Sequence, residues 1–375
     1  MWRGAVGISK LVSTCILLFA AGCIAYGQAD PNKDVAAKYA PIFKQALGER
    51  PRGDYPTNFD FDGDWIGTNN WKHAEDPRFK LRGYIYYSVT ETATHYYIHY
   101  AVFHARDYKG GTTKGVIYSD LLWFGAKVLS RGKDPSGKLE EAAIAHENDM
   151  EGALVVVEKA GQQIVFLETL HHNRFGRYVP CGSPIEADGC FRTTEKHVEL
   201  YVEPRGHGIM ALGTERPTSV TKFAIYKYDG LAGDPETSRN GNVSYDLLPI
   251  ATTLWAKIGA PKRDKTYASA KDFGTVSIGV VSGDRPVTKD VPVGMLPSAF
   301  DGQVGGVNVA RPPWGWFSNQ HRDDPPGSWY FDPARTIKRD FGLDDSFSTT
   351  YLELPFWAQG ASETTATAAA GSGNK

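Results

Sequence analysis

Apolar and polar residues alternate along several short stretches of the chain, which is the pattern of half-buried β-strands. Stretches 83–92 and 95–106 are rich in Tyr, Ile and Val, and the short segment 92–94 between them predicts a hairpin. The even-numbered residues of the second stretch should cover one face of the sheet and the odd-numbered residues the other. Further strands are predicted at 151–159, 163–170, 196–203, 221–228 and 275–281.

Three other segments show the spacing of helices rather than strands. Apolar residues recur at helical intervals over 34–47, where Pro41 predicts a break or kink, and helices are also predicted at 119–132 and 245–258. The aromatic, Pro- and Gly-rich region 301–357 suits extended loops packed across a sheet. Its tryptophans, Trp314, Trp316 and Trp329, could stack on a ligand or pack in the core, and core packing is the more common use.

The composition agrees with a mainly β fold. The chain has 375 residues with 12% aromatics, 40 Gly and 22 Pro, which favours strands joined by many turns. The predicted architecture is an antiparallel β-sandwich with a few peripheral helices, formed as a single domain over residues 30–357. The net charge of −2 gives no basic field for nucleic acid.

The two ends of the chain have compositions of their own. A positive start and an apolar stretch at 11–26 predict a signal peptide over 1–29, cleaved after Ala29 or Ala25, and hence a secreted or periplasmic protein with no transmembrane span. A lipobox-like sequence ending at Cys23 offers a lipid anchor as the alternative. Residues 358–375 carry little to bury and are predicted to be a disordered tail.

Only two of the four cysteines lie outside the predicted leader. Cys181 and Cys190 are nine residues apart in a turn-rich segment. In an oxidising compartment such a pair is most simply a disulfide that closes a small loop.

The segment 145–151 carries the strongest candidate chemistry. His146, Asp149 and Glu151 precede a predicted buried strand, with His146 expected in a bend and the two carboxylates on one face. An imidazole with two carboxylates suits a divalent cation such as Mg²⁺, Ca²⁺, Mn²⁺ or Zn²⁺. The alternative is that these polar residues only complete a loop.

Other residues could add to this centre. Asp107 closes a predicted strand and is the candidate fourth ligand, while His207, His171 and His172 could support the ligands or transfer protons. For His171 and His172 the alternative is an ordinary pair in a surface turn.

A second acidic stretch resembles a calcium loop. Its oxygen-bearing side chains alternate before a glycine, but Asn69 occupies the twelfth position, where a bidentate Glu belongs. A turn closed by side-chain-to-backbone hydrogen bonds is the alternative. The candidate calcium ligands are Asn58, Asp60, Asp62 and Asp64.

Four marks in order, at 39–41, 146–152, 170–172 and 198–208, resemble the vacuolar protein sorting-associated protein 62 family. The chain also resembles, more distantly, the necrosis- and ethylene-inducing-like secreted proteins, whose hallmark is Gly-His-Arg-His-Asp-Trp-Glu. That resemblance implies a β-sandwich with a divalent cation at one end. It places His146, Asp149 and Glu151 on the hallmark's ligands, Asp107 on an upstream Asp and His207 on a later His.

The chain departs from the hallmark at Ala145, Asn148 and Met150, which leaves the ligand types intact but removes the pattern associated with plant-membrane lysis. The leading hypothesis is therefore an exported, metal-binding protein that recognises a small ligand, a glycan or a lipid head group. The alternatives are a metal-dependent hydrolase that uses the same site, and a domain with a structural ion or none.

Overall fold

The computed structural model describes residues 31–108, 145–212, 222–259, 267, 270–300, 302, 310–318 and 326–359. The predicted leader 1–29, the predicted helix 119–132 and residues 360–375 of the predicted tail lie outside this part of the chain. The described chain ends in a short helix that includes Ala358, the first residue of the predicted tail.

Most of the described secondary structure is strand, which confirms the mainly β prediction. The strands are β1 Ile42–Ala46, β2 Tyr84–Glu91, β3 His95–Tyr108, β4 Ala145–Glu158, β5 Gln163–Leu170, β6 Phe175–Pro180, β7 Gly189–Phe191, β8 Thr193–Thr194, β9 His197–Val202, β10 Ile209–Ala211, β11 Phe223–Tyr228, β12 Asn242–Pro249, β13 Ala270–Asp272, β14 Thr275–Ser282, β15 Arg285–Pro292, β16 Met295–Pro297 and β17 Thr350–Tyr351. The α-helices are α1 Pro31–Lys38, α2 Asn70–Glu75, α3 Ala256–Ile258, α4 Ser328–Phe331, α5 Pro333–Asp340 and α6 Phe356–Gln359.

One large sheet of twelve strands organises these elements. Its order is β10-β9-β1-β11-β12-β2-β3-β4-β5-β6-β7, with β8 paired to β9. The pairing is mixed, because β1–β9, β11–β12, β12–β2 and β6–β7 run parallel while the central strands run antiparallel. Strand β10, at one end of this order, also lies against β5 and β7 near the other end, so the sheet curls almost into a barrel.

The two faces of the sheet bury different cores, as the alternation in β3 predicts. Ile98, Tyr100 and Val102 point into the core inside the curled sheet. Tyr97 and Phe103 point into a second core, which the C-terminal helices and the three-stranded sheet β15-β14-β17 cover. Trp314, Trp316 and Trp329 are buried in that second core, with 2% exposure or less, so all three pack in the core as predicted.

Three predicted boundaries are wrong. The helix expected over 34–47 ends at Lys38, and Pro41 separates it from β1, which pairs with β9 and β11. The first half of the helix expected over 245–258 is strand β12, because it pairs with β11 and β2; helical turns begin at Ala251. In both cases pairing within the sheet overrides the local periodicity.

The third correction concerns the central motif. Strand β4 begins at Ala145 rather than at Glu151, and His146 lies within the strand instead of in a bend. The reason is that β4 stays paired with β3 on both sides of Asn148, up to the Asp107–His146 and Tyr108–Ala145 pairs. The predicted Cys181–Cys190 disulfide is present and closes the turn between β6 and β7. No helix in the described ranges is long and apolar enough to cross a membrane.

A buried carboxyl group beneath the C-terminal helices gives a testable pH dependence. Glu168 on β5 is fully buried and accepts a hydrogen bond from Nε1 of Trp329 at 2.5 Å. Burial and the neighbouring Asp340 raise its pKa well above that of an ordinary carboxyl group. The folded protein therefore holds a proton that the unfolded chain releases, and stability should fall as pH rises through the window between the two pKa values.

Glu168→Gln should remove this loss. We expect the variant to be more stable than the parent at pH 8 by about 1–3 kcal/mol, because a buried group that is costly to ionise becomes neutral. Near pH 4 the two proteins should have similar free energies of unfolding. Urea unfolding at pH 4 and at pH 8 measures both differences. Exposed Glu353→Gln is the matched control, and an equal pH response in all three proteins would contradict the argument.

Candidate metal centre

The predicted ligands meet where β3 ends beside the start of β4. The register pairs Asp107 with His146 and His104 with Asp149. Simple alternation would point His146 and Asp149 to opposite faces, because they are three residues apart. Asn148 lies between them with a left-handed backbone (φ 61°), which breaks the alternation and lets both side chains face one cavity.

The cavity is small and polar. Its volume is about 80 Å³, and all four predicted ligands, Asp107, His146, Asp149 and Glu151, line it. Nε2 of His146 lies 2.6 Å from Oδ2 of Asp107. The second oxygen of Asp107 and Oε2 of Glu151 are buried and have no hydrogen-bond partner among the described residues. Unpartnered buried carboxylate oxygens at a cavity wall are what a cation would satisfy.

The pKa shifts show the electrostatic cost of this arrangement. Burial raises the pKa of Asp107, but the charge and hydrogen bond of His146, together with the charges of His207 and His172, lower it overall. Burial lowers the pKa of His146, and the charge and hydrogen bond of Asp107 raise it overall. Burial and the charge of Asp149 raise the pKa of Glu151 well above the ordinary value. Histidine charges therefore offset the burial of Asp107, whereas the backbone N–H of His172 and the nearby Arg311 do not offset the burial of Glu151.

His207 contacts the carboxylate of Asp149 and holds it in place. Its Nδ1 lies 2.9 Å from Oδ2 of Asp149, and its Nε2 lies 3.4 Å from Oδ1 of Asp54. Burial alone would lower its pKa, but the hydrogen bond to Asp149 and the negative charges of Asp149 and Asp54 raise it to about 10. The ring of His104 stacks on His207 at 3.7 Å, and burial together with this neighbouring charge lowers the pKa of His104 well below the ordinary value.

His171 and His172 follow β5 directly, in the turn to β6, so the surface-turn interpretation describes their location. Both nevertheless face Glu203, with Nε2 of His171 at 3.2 Å and Nε2 of His172 at 3.0 Å from its two oxygens. His172 also lines the cavity, and its backbone N–H donates to Oε1 of Glu151 at 3.4 Å.

Sequence reasoning missed the residues that hold this centre from outside the motif. Asp54, His104 and Glu203 come from separate segments, and no local spacing relates them to His146. Arg311, which lines the cavity, was missed as well, whereas Trp316, which also lines it, was considered as a ligand contact. Gly152 is a sequence signal for the close packing of Trp316 on β4, since a Cβ at Gly152 would lie 2.4 Å from Cη2 of Trp316.

The candidate calcium loop has internal partners for its polar groups. Asp62 contacts Nδ1 of His73 at 2.5 Å, and Asp64 accepts hydrogen bonds from the backbone of Ile66 and from Asn69. Asn58 donates to Asp60 at 2.9 Å. These bonds are those of a turn closed by its own side chains. Calcium binding by this loop stays a prediction.

The donor set of the cavity fits a divalent cation. Three carboxylates and one imidazole converge, and a subset of them, Asp107, His146 and Asp149, offers ligand atoms within 4.8 Å of one another. Oxygen-rich sets suit Mg²⁺, Ca²⁺ and Mn²⁺, and Zn²⁺ also accepts carboxylates with histidine.

No family model and no curated protein matches this chain. Solved structures do match, over about half of the chain. One is NLPPya in complex with glucosamine, with 15% identity, 52% of this chain and 72% of that chain covered, and a TM-score of 0.29. Another is Necrosis and Ethylene inducing Protein 2 from the causal agent of cocoa's Witches Broom disease, with 16% identity, coverage of 51% and 73%, and a TM-score of 0.24.

A third match is the non-toxic HaNLP3 protein, with 12% identity, coverage of 58% and 73%, and a TM-score of 0.25. These structures belong to the necrosis- and ethylene-inducing class, the more distant of the two resemblances that the sequence predicts. Resemblance to the vacuolar protein sorting-associated protein 62 family stays a prediction. At these TM-scores the likeness assigns no function.

Proposed function

We propose that this protein is an exported, cation-dependent recognition protein, in which Asp107, His146, Asp149 and Glu151 hold one divalent ion facing a small cavity. The observation that carries the proposal is the convergence of all four side chains on that cavity, with two buried carboxylate oxygens left unpartnered by the described residues. The Cys181–Cys190 disulfide supports export, since such bonds persist in oxidising compartments.

The residues around the cavity suggest which chemical group of a ligand would bind the ion. Arg311 and the turn residue His172 lie around the cavity together with the four ligands. A cation with an open position, next to a guanidinium and an imidazole, suits a small oxygen-bearing group such as a sugar hydroxyl or a lipid head group. The cavity volume of about 80 Å³ admits such a group and excludes a whole drug-sized ligand.

The histidines favour recognition over hydrolysis. A general base needs a ring nitrogen that can take a proton from water. Both ring nitrogens of His207 face carboxylates, so His207 has none left for this role. Nε2 of His171 and of His172 face Glu203, which leaves only their Nδ1 atoms to accept a proton. The metal-dependent hydrolase is therefore the second candidate, and substrate turnover is the result that would restore it.

Cation binding is the first test. Titration of the metal-free protein with Mn²⁺ or Ca²⁺ in a calorimeter should show one ion bound at the oxygen-rich centre. Asp107→Asn should weaken it by more than about 10-fold, the scale reported for loss of groups around metal sites. Exposed Asp284→Asn should bind as the parent does. Equal affinity in all three proteins would rule out the proposed centre.

Ligand binding is the second part of the same test. The protein should bind a glycan array, or vesicles with glycosylated or phosphorylated head groups, in Mn²⁺ or Ca²⁺ and release them in chelator. Arg311→Gln should weaken ligand binding without weakening cation binding, because it removes a positive charge near Glu151. Binding that survives the chelator would contradict recognition through the ion, whereas cation-dependent turnover would favour the hydrolase.

A further inference from the structure

A second group of metal-ligating side chains lies beside the oxygen-rich cavity and differs from it in chemistry. It consists of His171, His172 and Glu203. Each imidazole presents Nε2 to a different oxygen of the carboxylate, at 3.2 and 3.0 Å, and the ligand atoms lie within 4.8 Å of one another. The group offers two nitrogens and one carboxylate, where the cavity offers mainly oxygen.

The backbone holds these three side chains in place. His172 and Asn173 adopt the left-handed conformation (φ 50° and 60°), which gives a tight turn and brings two consecutive histidines to the same carboxylate. Glu203 follows β9, and its backbone donates to Gly208 and accepts from the Gln45 side chain. The missing Cβ of Gly208 makes room for the imidazole of His171, since a Cβ would lie 2.3 Å from its Cδ2.

An ion pair alone does not account for the contact of His171. Its Nε2 is buried, and it has no hydrogen-bond partner among the described residues even though Glu203 Oε1 lies 3.2 Å away, so the approach lacks hydrogen-bond geometry. A buried ring nitrogen without a partner is costly. A shared ion would satisfy it, because ligand bonds of 2.0–2.1 Å at tetrahedral angles separate neighbouring donor atoms by about 3.3 Å.

We propose that His171, His172 and Glu203 form a second metal site, which takes Zn²⁺ or a similar borderline transition-metal ion. Two imidazoles and one carboxylate are a donor set that Zn²⁺ accepts and that Ca²⁺ and Mg²⁺ do not prefer. The His172 side chain is 39% exposed, so solvent reaches the fourth position. The site stays open in the way that catalytic or ligand-exchanging zinc sites are open.

The site adjoins the oxygen-rich centre without sharing its ligands. His172 lines the cavity, and its backbone N–H contacts Glu151 at 3.4 Å. The turn that carries the nitrogen ligands is thus also a wall of the first cavity. An ion on Glu203 would hold this wall in position for a ligand that approaches the first ion.

Cobalt distinguishes the two sites, because four-coordinate Co²⁺ absorbs visible light far more strongly than six-coordinate Co²⁺. The metal-free protein, first saturated with Ca²⁺ to fill the oxygen-rich centre, is titrated with Co²⁺ and then with Zn²⁺. We expect one equivalent of Co²⁺ with intense visible bands, which one equivalent of Zn²⁺ abolishes. Absence of these bands from the parent protein would overturn the proposal.

Variants locate the ion and keep the result independent of the proposed function. His172→Gln and, separately, His171→Gln should lose the intense bands and weaken Zn²⁺ binding by more than about 10-fold. His171 does not line the oxygen-rich cavity, so His171→Gln should also retain the Ca²⁺ affinity of the parent. Asp107→Asn should lose Ca²⁺ affinity and keep the bands. His95→Gln, which lies in the β2–β3 hairpin, is the control. Folding is checked by circular dichroism, and a folded variant of either cluster histidine with the parent's spectrum would refute the site.

Discussion

Asp149→Asn is expected to abolish cation binding in the oxygen-rich centre and also to destabilise the metal-free protein by about 3–5 kcal/mol, the cost of removing one partner of a buried ion pair. Asp149 is both a candidate ligand and the partner of His207, whose Nδ1 lies 2.9 Å from its carboxylate. His207 is fully buried, and its pKa of about 10 means that it carries a charge at neutral pH. The variant leaves that charge with Asp54 alone, at 3.4 Å.

Glu151→Gln is the matched comparison, because it removes a ligand that is not the counter-charge of the buried His207. Burial and Asp149 already disfavour ionised Glu151, and its Oε2 has no partner among the described residues. We expect the metal-free variant to be as stable as the parent or more stable, while its affinity for Mn²⁺ falls by more than about 10-fold.

Urea unfolding in chelator and Mn²⁺ calorimetry separate the two effects. Asp149→Asn should lose both stability and affinity, and Glu151→Gln should lose affinity only. Superimposable unfolding curves for the two variants would show that the Asp149–His207 pair does not carry the stability assigned to it. Unchanged Mn²⁺ affinity in both variants would contradict the proposal that these residues bind a cation.

The part of this centre that sequence could predict is the part that lies within one segment. His146, Asp149 and Glu151 are close in the chain, and the run of apolar residues that follows them predicts a buried strand. The sequence also placed Asp107 at a strand end, and the antiparallel pairing of β3 with β4 brings it opposite His146. Local pattern and one correct pairing were enough for these four residues.

The supporting groups could not be predicted in the same way. Asp54 and His207 follow the neighbouring parallel strands β1 and β9. His207 reaches Asp149 only because the sheet curls and brings the segment after β9 toward the start of β4. The left-handed backbone at Asn148 is also invisible to a strand periodicity of two, which is why a bend was expected at His146. The curling of the sheet and the left-handed φ of Asn148 therefore determine the parts of the centre that local sequence patterns do not predict.

The same limit explains the errors in the elements. The segment from 42 to 46 has helical spacing, but its free edges pair with β9 and β11, and sheet pairing satisfies more backbone groups than an isolated turn of helix. Pro41 marked the boundary correctly. The tryptophans were predicted correctly as core residues because large apolar rings rarely stay exposed without a partner surface.

Trp329→Ala should lower the free energy of unfolding by about 3–5 kcal/mol, the range for deleting a buried aromatic ring. Trp329 is fully buried and stacks on Phe175 with 4.8 Å between ring centroids. Its Nε1 donates to Glu168, and its carbonyl oxygen accepts from Nε2 of His99 at 2.7 Å. The truncation therefore opens a cavity and also leaves the Glu168 carboxyl without its donor.

Two further variants divide that loss between packing and hydrogen bonding. Trp329→Phe keeps most of the ring but removes the N–H, so it should cost less than Trp329→Ala, and combining it with Glu168→Gln should recover part of the loss at pH 8. Trp255→Ala, at a half-buried tryptophan of the same core, should cost less than Trp329→Ala. Equal losses for Trp255→Ala and Trp329→Ala in urea unfolding would mean that the second core is not organised around Trp329. A recovery by Glu168→Gln that is the same at pH 4 and pH 8 would mean that ionisation of Glu168 is not the cause.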